Sequence, residues 1–390
     1  MDIGAFSKTP VGRLVRITGT DGRFGEDFDH FAFIPDPLPD LLDLNQETYK
    51  LVAEASAAIA RLDQAAFRLP NPYLLVRPAI RREAVSTSAL EGTYAALDEV
   101  LEADFAGTST VGAAVAEVRN YVRTAETAFE WIQTYPITVA MLESLQKILI
   151  AGTPGDGPDA GHLRTKQVFI GSSGRRVSDA RFVPPPPGDQ LRSGVDAWID
   201  WINRDNSIPL VVKMALGHYQ FESLHPFNDG NGRLGRLVCV LQLARAGEMR
   251  LPVLNLSPWL EREREAYQNH LLQCSITGRF DDWIQFFCEA VRVQATTAVQ
   301  KIDRLHDWRD QALATLREAK VRGVAEKITE DLIGYPMLSV TDAAKRYEVT
   351  YVAVNQVIPK LVKLGLIVEW TGKKYGRLFV AREVMEIYQA

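Results

Sequence analysis

The feature that most constrains the fold is a glycine-rich connection between two predicted helices, HPFNDGNGRLGR at residues 225–236. Pro226 closes the preceding helix, and the apolar run from Leu234 begins the next one. Gly230 and Gly232 let the backbone adopt positive φ and approach a ligand closely. Because the loop leads into a helix N-terminus with free N–H groups, the sequence predicts a helix–loop–helix that binds an anion.

Helical periodicity dominates the chain from Leu41 onward, which predicts a mainly α fold. The first 35 or so residues are expected to form loops or short strands. Residues 166–184 break the helical pattern and predict a β-hairpin around a Gly/Ser-rich turn, followed by a rigid run of prolines. Helices are predicted around residues 45–67, 78–105, 113–132, 138–150, 189–204, 209–224, 233–246, 258–275 and 279–317.

The C-terminal segment follows a different pattern: a helix, a tight turn, a second helix and two short strands. Ser339 or Thr341 is predicted to cap the first helix, and Thr350 the second. This order of elements is typical of a winged helix-turn-helix. Pro359 lies inside the second helix and should kink it.

Composition excludes several classes of protein. The 390 residues carry a formal net charge of −5, so the whole chain does not attract nucleic acid or an anionic membrane. Cys239, Cys274 and Cys288 are too few and too scattered for a disulfide framework or a zinc site. The N-terminus lacks the apolar core of a signal peptide, and no run of about 18 apolar residues could span a membrane. A cytoplasmic protein without membrane contact is therefore expected.

Charged side chains in the glycine-rich loop indicate what it binds. Arg233 and Arg236 are three positions apart on the first turn of the following helix, so both guanidinium groups can point the same way. Beside a glycine-rich loop, two such groups favour an oligophosphate over a single carboxylate. Asp229 could simply pair with an arginine, but next to phosphates it is well placed to bind Mg²⁺.

His225 adds a group that can accept a proton near neutral pH. The loop holds no serine, threonine, cysteine or lysine to act as a nucleophile, so the attacking hydroxyl is expected to come from another molecule. That combination indicates a transferase. The alternative is a capped helix pair with an incidental histidine and surface arginines, but the full ordered set meets many requirements of one site together.

HPFNDGNGRLGR matches every fixed position of the signature of Fic-domain proteins, His-Pro-Phe-x-Asp-Gly-Asn-Gly-Arg-x-x-Arg. With IPDPLP near the start, RREAVSTSALEGT, and the predicted hairpin before PPPP, nearly the whole chain resembles bacterial Fic proteins that carry a winged-helix tail. The resemblance implies an N-terminal region at 1–110 with an inhibitory helix at 87–92. A Fic catalytic core follows at 111–318, with its flap hairpin at 166–184, and a winged helix at 319–390.

The resemblance also implies a reaction, the transfer of AMP from ATP to a hydroxyl of a protein target with release of pyrophosphate. His225 matches the family's base, Asp229 matches its Mg²⁺ ligand, and Phe227 matches a buried residue that anchors the loop. A branch of the fold that phosphorylates its target has alanine at the position of Gly230 and lysine at the position of Gly232. This chain keeps both glycines, so the resemblance favours adenylylation over phosphorylation. The residues that match contacts to the phosphates of ATP are Gly230, Asn231, Gly232, Arg233 and Arg236.

TSALEGT at residues 87–93 resembles the inhibitory motif of the family, Ser/Thr-x-x-x-Glu followed by Gly or Asn. Thr87 and Glu91 are four apart, hence on one helical face, which by itself also describes an ordinary solvated helix surface. Within the family, Glu91 is expected to pair with Arg236 and occupy the guanidinium meant for the γ-phosphate. Self-adenylylation, and removal of AMP by a water that this glutamate orients, are further activities that the resemblance implies.

Other parts of the site are interpreted in the same way. The flap is expected to clamp a target segment by adding a strand, which places its Ser, Thr or Tyr hydroxyl beside the base. Tyr267 resembles a contributor to the adenine pocket, although ordinary packing explains it equally well. His218 and Glu222 either orient His225 or pack between helices.

Two alternatives to an adenylyltransferase remain at this point, a nucleotide-sensing DNA-binding regulator with little turnover and a phosphotransferase. For the winged helix, DNA binding is less favoured than target recruitment or homodimer formation, because Asp342, Glu348 and Glu369 dilute the positive charge. The basic residues of the segment are Lys345, Arg346, Lys360, Lys363, Lys373, Lys374 and Arg377.

Overall fold

The structure, a computed structural model, is mainly helical and describes residues 1–21, 24–105, 112–171, 176–372 and 375–390. The mainly α fold predicted from the sequence is confirmed. The helices are α1 (Ile3–Phe6), α2 (Gln46–Ala66), α3 (Val76–Leu90), α4 (Leu97–Glu102), α5 (Ala113–Ile132), α6 (Val139–Ile150), α7 (Asp189–Asn203), α8 (Leu210–Leu224), α9 (Asn231–Arg245), α10 (Ser257–Arg262), α11 (Arg264–Thr277), α12 (Phe280–Glu318), α13 (Val324–Asp331), α14 (Val340–Arg346), α15 (Tyr351–Lys363) and α16 (Arg382–Gln389). The strands are β1 (Gly12–Asp21), β2 (Glu26–Pro35), β3 (Met337–Ser339), β4 (Val368–Glu369) and β5 (Leu378–Val380).

The centre of the fold is the pair α8 and α9, which flank the glycine-rich loop. Nearly every residue of both helices is buried, including the polar His218, Arg233 and Arg236, because other helices surround the pair. α5, α6, α7, α11 and α12 pack around this pair. The indole N–H of Trp283 on α12 donates to the Ala215 carbonyl of α8 at 2.8 Å. The loop is thus held between two helices of the core.

Two of the predicted helices are each divided in the structure. The predicted helix 78–105 consists of α3 and α4, because Gly92 has φ 92° and ends α3. The predicted helix 258–275 is divided at Glu263 into α10 and α11. In both cases continuous apolar periodicity hides a turn that only a few residues determine.

The N-terminal segment differs more strongly from the sequence expectation of loops or short strands. β1 and β2 are ten residues each and pair antiparallel from Gly12 opposite Pro35 to Asp21 opposite Glu26. Phe33 packs with Phe6 and Phe182 in a small separate core. The alternation of polar and apolar residues along β1 and β2 is weak, which is why this hairpin was not predicted.

The flap at residues 166–184 is less regular than predicted. Its described part forms one antiparallel bridge, Ile170 opposite Phe182, in place of a ladder, and residues 172–175 at its turn lie outside the described chain. The Phe33 N–H donates to the Val183 carbonyl at 2.8 Å, so the N-terminal hairpin supports the flap from one side.

The C-terminal elements follow the predicted order: α14, a short turn, α15 and two strands. β3, β5 and β4 form an antiparallel sheet in that order. Ser339 and Thr350 cap α14 and α15 as predicted, whereas α15 continues through Pro359 to its end at Lys363. Lys373 and Lys374 lie outside the described residues. The winged-helix assignment and the domain boundaries stay predictions.

Among the described residues, every helix is either too short or too polar to span a lipid bilayer.

Candidate active site

The glycine-rich loop begins where α8 ends, at His225. His225 adopts a left-handed conformation with φ 47°, and its N–H donates to the Phe221 carbonyl at 2.9 Å. Its carbonyl accepts from Arg164 Nε at 2.8 Å, and the Arg164 N–H donates to the Pro226 carbonyl at 2.9 Å. A left-handed conformation costs energy for a residue other than glycine, and these contacts stabilise it at His225. Sequence analysis did not identify the buried Arg164.

The rest of the loop is closed by Asn231, the first residue of α9. Its side chain accepts from the Phe227 N–H at 2.9 Å and donates to the Phe227 carbonyl at 2.7 Å. Phe227 itself is fully buried, as the anchoring role predicts. The Asn231 amide therefore shapes the loop, and only its backbone N–H remains at the helix N-terminus for an anion.

Both glycines of the loop have a geometric reason. Gly230 has φ 84°, and a Cβ there would lie 3.0 Å from Leu149. A Cβ at Gly232 would overlap the Glu91 Oε1 atom and would lie 2.8 Å from Arg236 Nη1. The space above Gly232 is thus occupied by the carboxylate of Glu91.

The predicted pair between Glu91 and Arg236 is present. Arg236 Nη2 donates to Glu91 Oε1 at 2.7 Å, while Arg236 Nε donates to Thr87 Oγ1 at 2.8 Å. The Arg236 side chain is 2% exposed and that of Glu91 is 40% exposed, so the pair lies at the inner end of an open site. Burial alone would raise the pKa of Glu91, but the hydrogen bond and charge of Arg236, together with Arg233 and His225, lower that pKa.

The turn that carries Glu91 is a helix C-terminal cap. The Thr93 N–H donates to the Ser88 carbonyl at 2.9 Å, and the Gly92 N–H donates to the Ala89 carbonyl at 3.0 Å. These two bonds, with Gly92 at positive φ, are the Schellman arrangement. The glycine after Glu91 thus directs the chain so that the carboxylate faces α9.

Arg233 lies on the same turn as Arg236 but contacts different carboxylates. Arg233 Nη1 is 3.3 Å from Glu117 Oε2, and Arg233 Nη2 is 3.4 Å from Asp229 Oδ1. Its side chain is only 3% exposed. The sequence analysis did not identify Glu117, which lies on α5 more than a hundred residues earlier in the chain.

Asp229, the predicted metal ligand, presents a partly exposed carboxylate at the glycine-rich loop. Its side chain is 43% exposed, and its Oδ1 accepts from the Gly230 N–H at 2.6 Å. Gly155 lies so close that a Cβ there would be 2.8 Å from Asp229 Cβ. No group of three or more His, Cys, Asp and Glu residues that could hold a metal occurs in the described chain. A single exposed carboxylate fits Mg²⁺ bound jointly with phosphate oxygens and water.

The imidazole of His225 lies beside Glu222, at the end of α8. Its Nδ1 lies 3.9 Å from Glu222 Oε2, and its side chain is 21% exposed. Burial and the nearby Arg164 lower the pKa of His225 to about 4, although the charge of Glu91 opposes this shift. Burial raises the pKa of Glu222 to about 8. His225 is therefore a neutral imidazole at physiological pH.

A cavity of about 360 Å³ joins His225, Glu91, Gly232 and Arg236. Tyr267 also lines it, but this side chain is almost buried, and its hydroxyl is 2.6 Å from His218 Nε2. His218 therefore contacts Tyr267, and burial lowers the pKa of His218 to about 3. Arg233 and Asp229 do not line this cavity in the described chain. The apolar part of the wall consists of Leu90, Ile170, Phe182, Leu271 and Leu272.

The flap forms one side of this cavity. Arg181 on the flap donates to Asn269 of α11, and its Nη1 lies 3.5 Å from Gln268 Oε1. These contacts link the flap to α11 across the mouth of the cavity. The sequence predicted the flap and Tyr267 separately but not this link.

Comparison with known proteins identifies two matching regions. Residues 49–130 match the Fic/DOC family N-terminal region, and residues 136–243 match the Fic/DOC family itself. The first region contains Glu91 and Glu117, and the second contains the glycine-rich loop.

The similar proteins are adenylyltransferases by name. The chain is 31% identical over 161 residues to the protein adenylyltransferase Fic of Drosophila willistoni, covering 40% of this chain and 28% of that protein. It is 34% identical over 94 residues to the protein adenylyltransferase fic-1 of Caenorhabditis elegans, covering 24% of this chain and 16% of that protein. The chain thus matches less than a third of the length of these relatives.

A solved structure supports the fold over most of the chain. The crystal structure of a Fic family protein from Desulfovibrio desulfuricans G20 superposes with a TM-score of 0.56. The superposition covers 87% of this chain and 97% of that one, at 21% sequence identity. At this level of identity the two proteins share a fold, and residue roles stay predictions.

Proposed function

This chain is a Fic-domain protein, and we propose that it transfers AMP from ATP to a hydroxyl side chain of a protein target. The observation that carries the proposal is that His225 and Arg236 line one cavity, next to the N-terminus of α9. A cation and free backbone N–H groups suit phosphates, and a neutral imidazole beside them suits proton transfer. The names of the similar adenylyltransferases support the same class of reaction.

His225 acts as the base in this proposal. The target hydroxyl gives its proton to the imidazole as its oxygen attacks the α-phosphorus of ATP. The bond between the α-phosphorus and the bridging oxygen breaks, and pyrophosphate leaves. Because the pKa of His225 is lowered to about 4, the imidazole is free to accept a proton throughout the neutral range. A positioned base contributes roughly 10²–10⁴-fold to such a reaction.

The start of α9 binds the phosphates. Arg233, Arg236 and the backbone N–H groups of the first turn of α9, after Gly230, supply positive charge and donors there. Asp229 would hold Mg²⁺, which neutralises charge on the phosphates when it is bound. The carboxylate of Asp229 is accessible to such an ion, as its exposed side chain indicates.

The apolar part of the cavity accommodates the nucleobase. Ile170 and Phe182 of the flap face Leu271 and Leu272 of α11 there. Tyr267 supports this wall, and its bond to His218 fixes the ring. The two flap residues thus close one side of the base site.

The target segment docks along the flap and presents a Ser, Thr or Tyr hydroxyl to His225. A cleft of about 1200 Å³ between β1 and residues 166–169 opens beside Asn228 of the loop and provides room for an extended chain. Backbone pairing with a flap edge would hold such a chain without reading much of its sequence. In this proposal a segment of a second copy docks in the same way, and the protein would then adenylylate itself.

Glu91 inhibits this activity. Its pair with Arg236 uses the donor that the γ-phosphate requires, so ATP binds with a misaligned α-phosphate or does not bind productively. In this arrangement, Glu91 is also near enough to His225 to affect its pKa, which is consistent with a role in hydrolytic removal of AMP.

Transfer from two labelled forms of ATP tests the proposal. The Glu91→Gly protein is incubated with Mg²⁺ and with ATP labelled on either the α- or the γ-phosphate. Label from the α-phosphate alone should enter protein. Label from the γ-phosphate would indicate a phosphotransferase instead. Absence of both labels, together with a shift of duplex DNA in a gel, would favour the nucleotide-sensing DNA-binding regulator.

A further inference from the structure

A second set of contacts joins the inhibitory segment to the glycine-rich loop. Thr93 Oγ1 donates to Glu117 Oε2 at 2.9 Å. The same oxygen atom of Glu117 lies 3.3 Å from Arg233 Nη1. One carboxylate on α5 therefore contacts both the turn after α3 and the first turn of α9.

Glu117 is the more buried of the two carboxylates that contact the Arg233 side chain. Arg233 is 3% exposed and Glu117 is 17% exposed, so water competes little for this pair. The other partner, Asp229, is 43% exposed and lies at 3.4 Å. The Nε atom of Arg233 has no hydrogen-bond partner within the described residues. The orientation of the guanidinium group thus depends mainly on Glu117.

We propose that Glu117 is a positioning residue that holds Arg233 for the phosphates of ATP, and that Thr93 couples this carboxylate to the inhibitory turn. The proposal rests on the proposed function for the identity of the ligand. The N–H groups of Arg233 that Glu117 does not occupy are the ones that we expect to contact phosphate. Such a contact is effective only if the guanidinium group is placed correctly, since a misplacement of about 1 Å can cost on the order of 10²-fold in rate.

The coupling follows from the backbone of the turn. Only Gly92 separates Glu91 from Thr93, and the Schellman bonds to Ser88 and Ala89 fix all three residues as one unit. The unit therefore makes two contacts with α9, directly through Glu91 to Arg236 and indirectly through Thr93 and Glu117 to Arg233. Loss of the second contact should free the turn and weaken the first.

Calorimetric titration of the full-length protein with ATP and Mg²⁺ tests the positioning role without any need for turnover. In the Glu91→Gly background, Glu117→Gln should weaken ATP binding about tenfold, the scale of one charge-assisted hydrogen bond. Glu130→Gln is the matched control, because Glu130 is an exposed residue of the same helix. In a background that also carries Arg233→Ala, Glu117→Gln should have no further effect, since it acts through that arginine.

The same titration tests the coupling. With Glu91 intact, Thr93→Val should tighten ATP binding toward the value of Glu91→Gly, whereas Thr93→Ser should behave as wild type because it keeps the hydroxyl. In the Glu91→Gly background, Thr93→Val should change affinity less than twofold.

Thermal unfolding of each variant shows whether it is folded. Equal affinities for Glu117→Gln and Glu130→Gln would overturn the positioning role, and an unchanged affinity of Thr93→Val with Glu91 intact would overturn the coupling. If ATP binds as expected but no AMP is transferred, the proposed function fails and these assignments stand.

Discussion

Arg236 donates from Nη2 to Glu91 Oε1 at 2.7 Å, joining positions 145 residues apart in the sequence. The pair fills the space above Gly232, where a phosphate would approach the start of α9. Inhibition and nucleotide binding thus compete for one guanidinium group. Because of this competition, substitutions at the site should change ATP binding, AMP transfer and stability in different ways.

His225→Ala should separate chemistry from binding. The variant loses the proton acceptor, so AMP transfer should fall by roughly 10²–10⁴-fold or more. ATP affinity should change by less than about threefold, because phosphates are held by α9 and its arginines. Rates from labelled ATP and affinities from calorimetry, both in the Glu91→Gly background, check this. Retained transfer would remove His225 from the mechanism.

The pH dependence of kcat/KM should show the lowered pKa of His225. Burial and Arg164 lower this pKa to about 4, and Glu91 partly opposes the shift, so in Glu91→Gly the pKa should be no higher. Activity should therefore persist as the pH falls through about 6.5, the ordinary value for histidine, and decline only near pH 4. A decline centred near pH 6.5 in folded protein would contradict this environment.

The same lowered pKa affects stability, and its sign is opposite to that of a paired histidine. The unfolded chain binds a proton on His225 below about pH 6.5, whereas the folded protein does not until about pH 4. This contribution to stability is present above the unfolded pKa and is lost as the pH falls toward 4. Thermal unfolding should accompany the pH profile so that loss of fold is not taken for loss of the base.

Thr87→Val should destabilise the protein. Thr87 is fully buried, and its hydroxyl accepts from Arg236 Nε at 2.8 Å. Valine leaves that donor without a partner, which should lower the free energy of unfolding by about 1–3 kcal/mol. Thr87→Ser keeps the hydroxyl and should lose less. Chemical denaturation of both variants makes the comparison, and equal stabilities of Thr87→Val and wild type would argue against this bond.

Gly232→Ala should break the contact between Glu91 and Arg236 without activating the enzyme. The added Cβ overlaps Glu91 Oε1 and approaches Arg236 Nη1 to 2.8 Å, so it occupies the same space that a phosphate needs. ATP binding should be weaker than in Glu91→Gly, and AMP transfer should stay low. Transfer as fast as that of Glu91→Gly would show that this space is not the phosphate site.

The fold and the loop were largely predictable because their signals are local. Apolar periodicity indicated α8 and α9, and the loop glycines indicated the positive φ of Gly230. The end of α3 at Leu90 was missed, although Gly92 was a visible signal for a helix C-terminus. The hairpin of β1 and β2, with ten residues in each strand, was missed because the alternation of polar and apolar residues in these strands is weak.

Partners within the site were less predictable than its chemistry. The family resemblance gave Glu91 as the partner of Arg236, but residue types and spacing gave no reason to place Arg164 beside His225 or Glu117 beside Arg233. These contacts join segments far apart in sequence, so only the tertiary fold brings them together. Tyr267 was predicted either to contribute to the adenine pocket or to pack in the core. The structure shows it almost buried and bonded to His218, while it also lines the cavity.

The most direct test of the central claim is intact-mass spectrometry of purified Glu91→Gly protein after incubation with ATP and Mg²⁺, beside wild type and Glu91→Gly/His225→Ala. We expect an added mass of one adenylyl group on Glu91→Gly, about 100-fold less on wild type at equal times, and a decrease of roughly 10²–10⁴-fold on the double variant. No added mass on Glu91→Gly, even with candidate target proteins present, or the mass of a phosphoryl group in its place, would contradict this expectation.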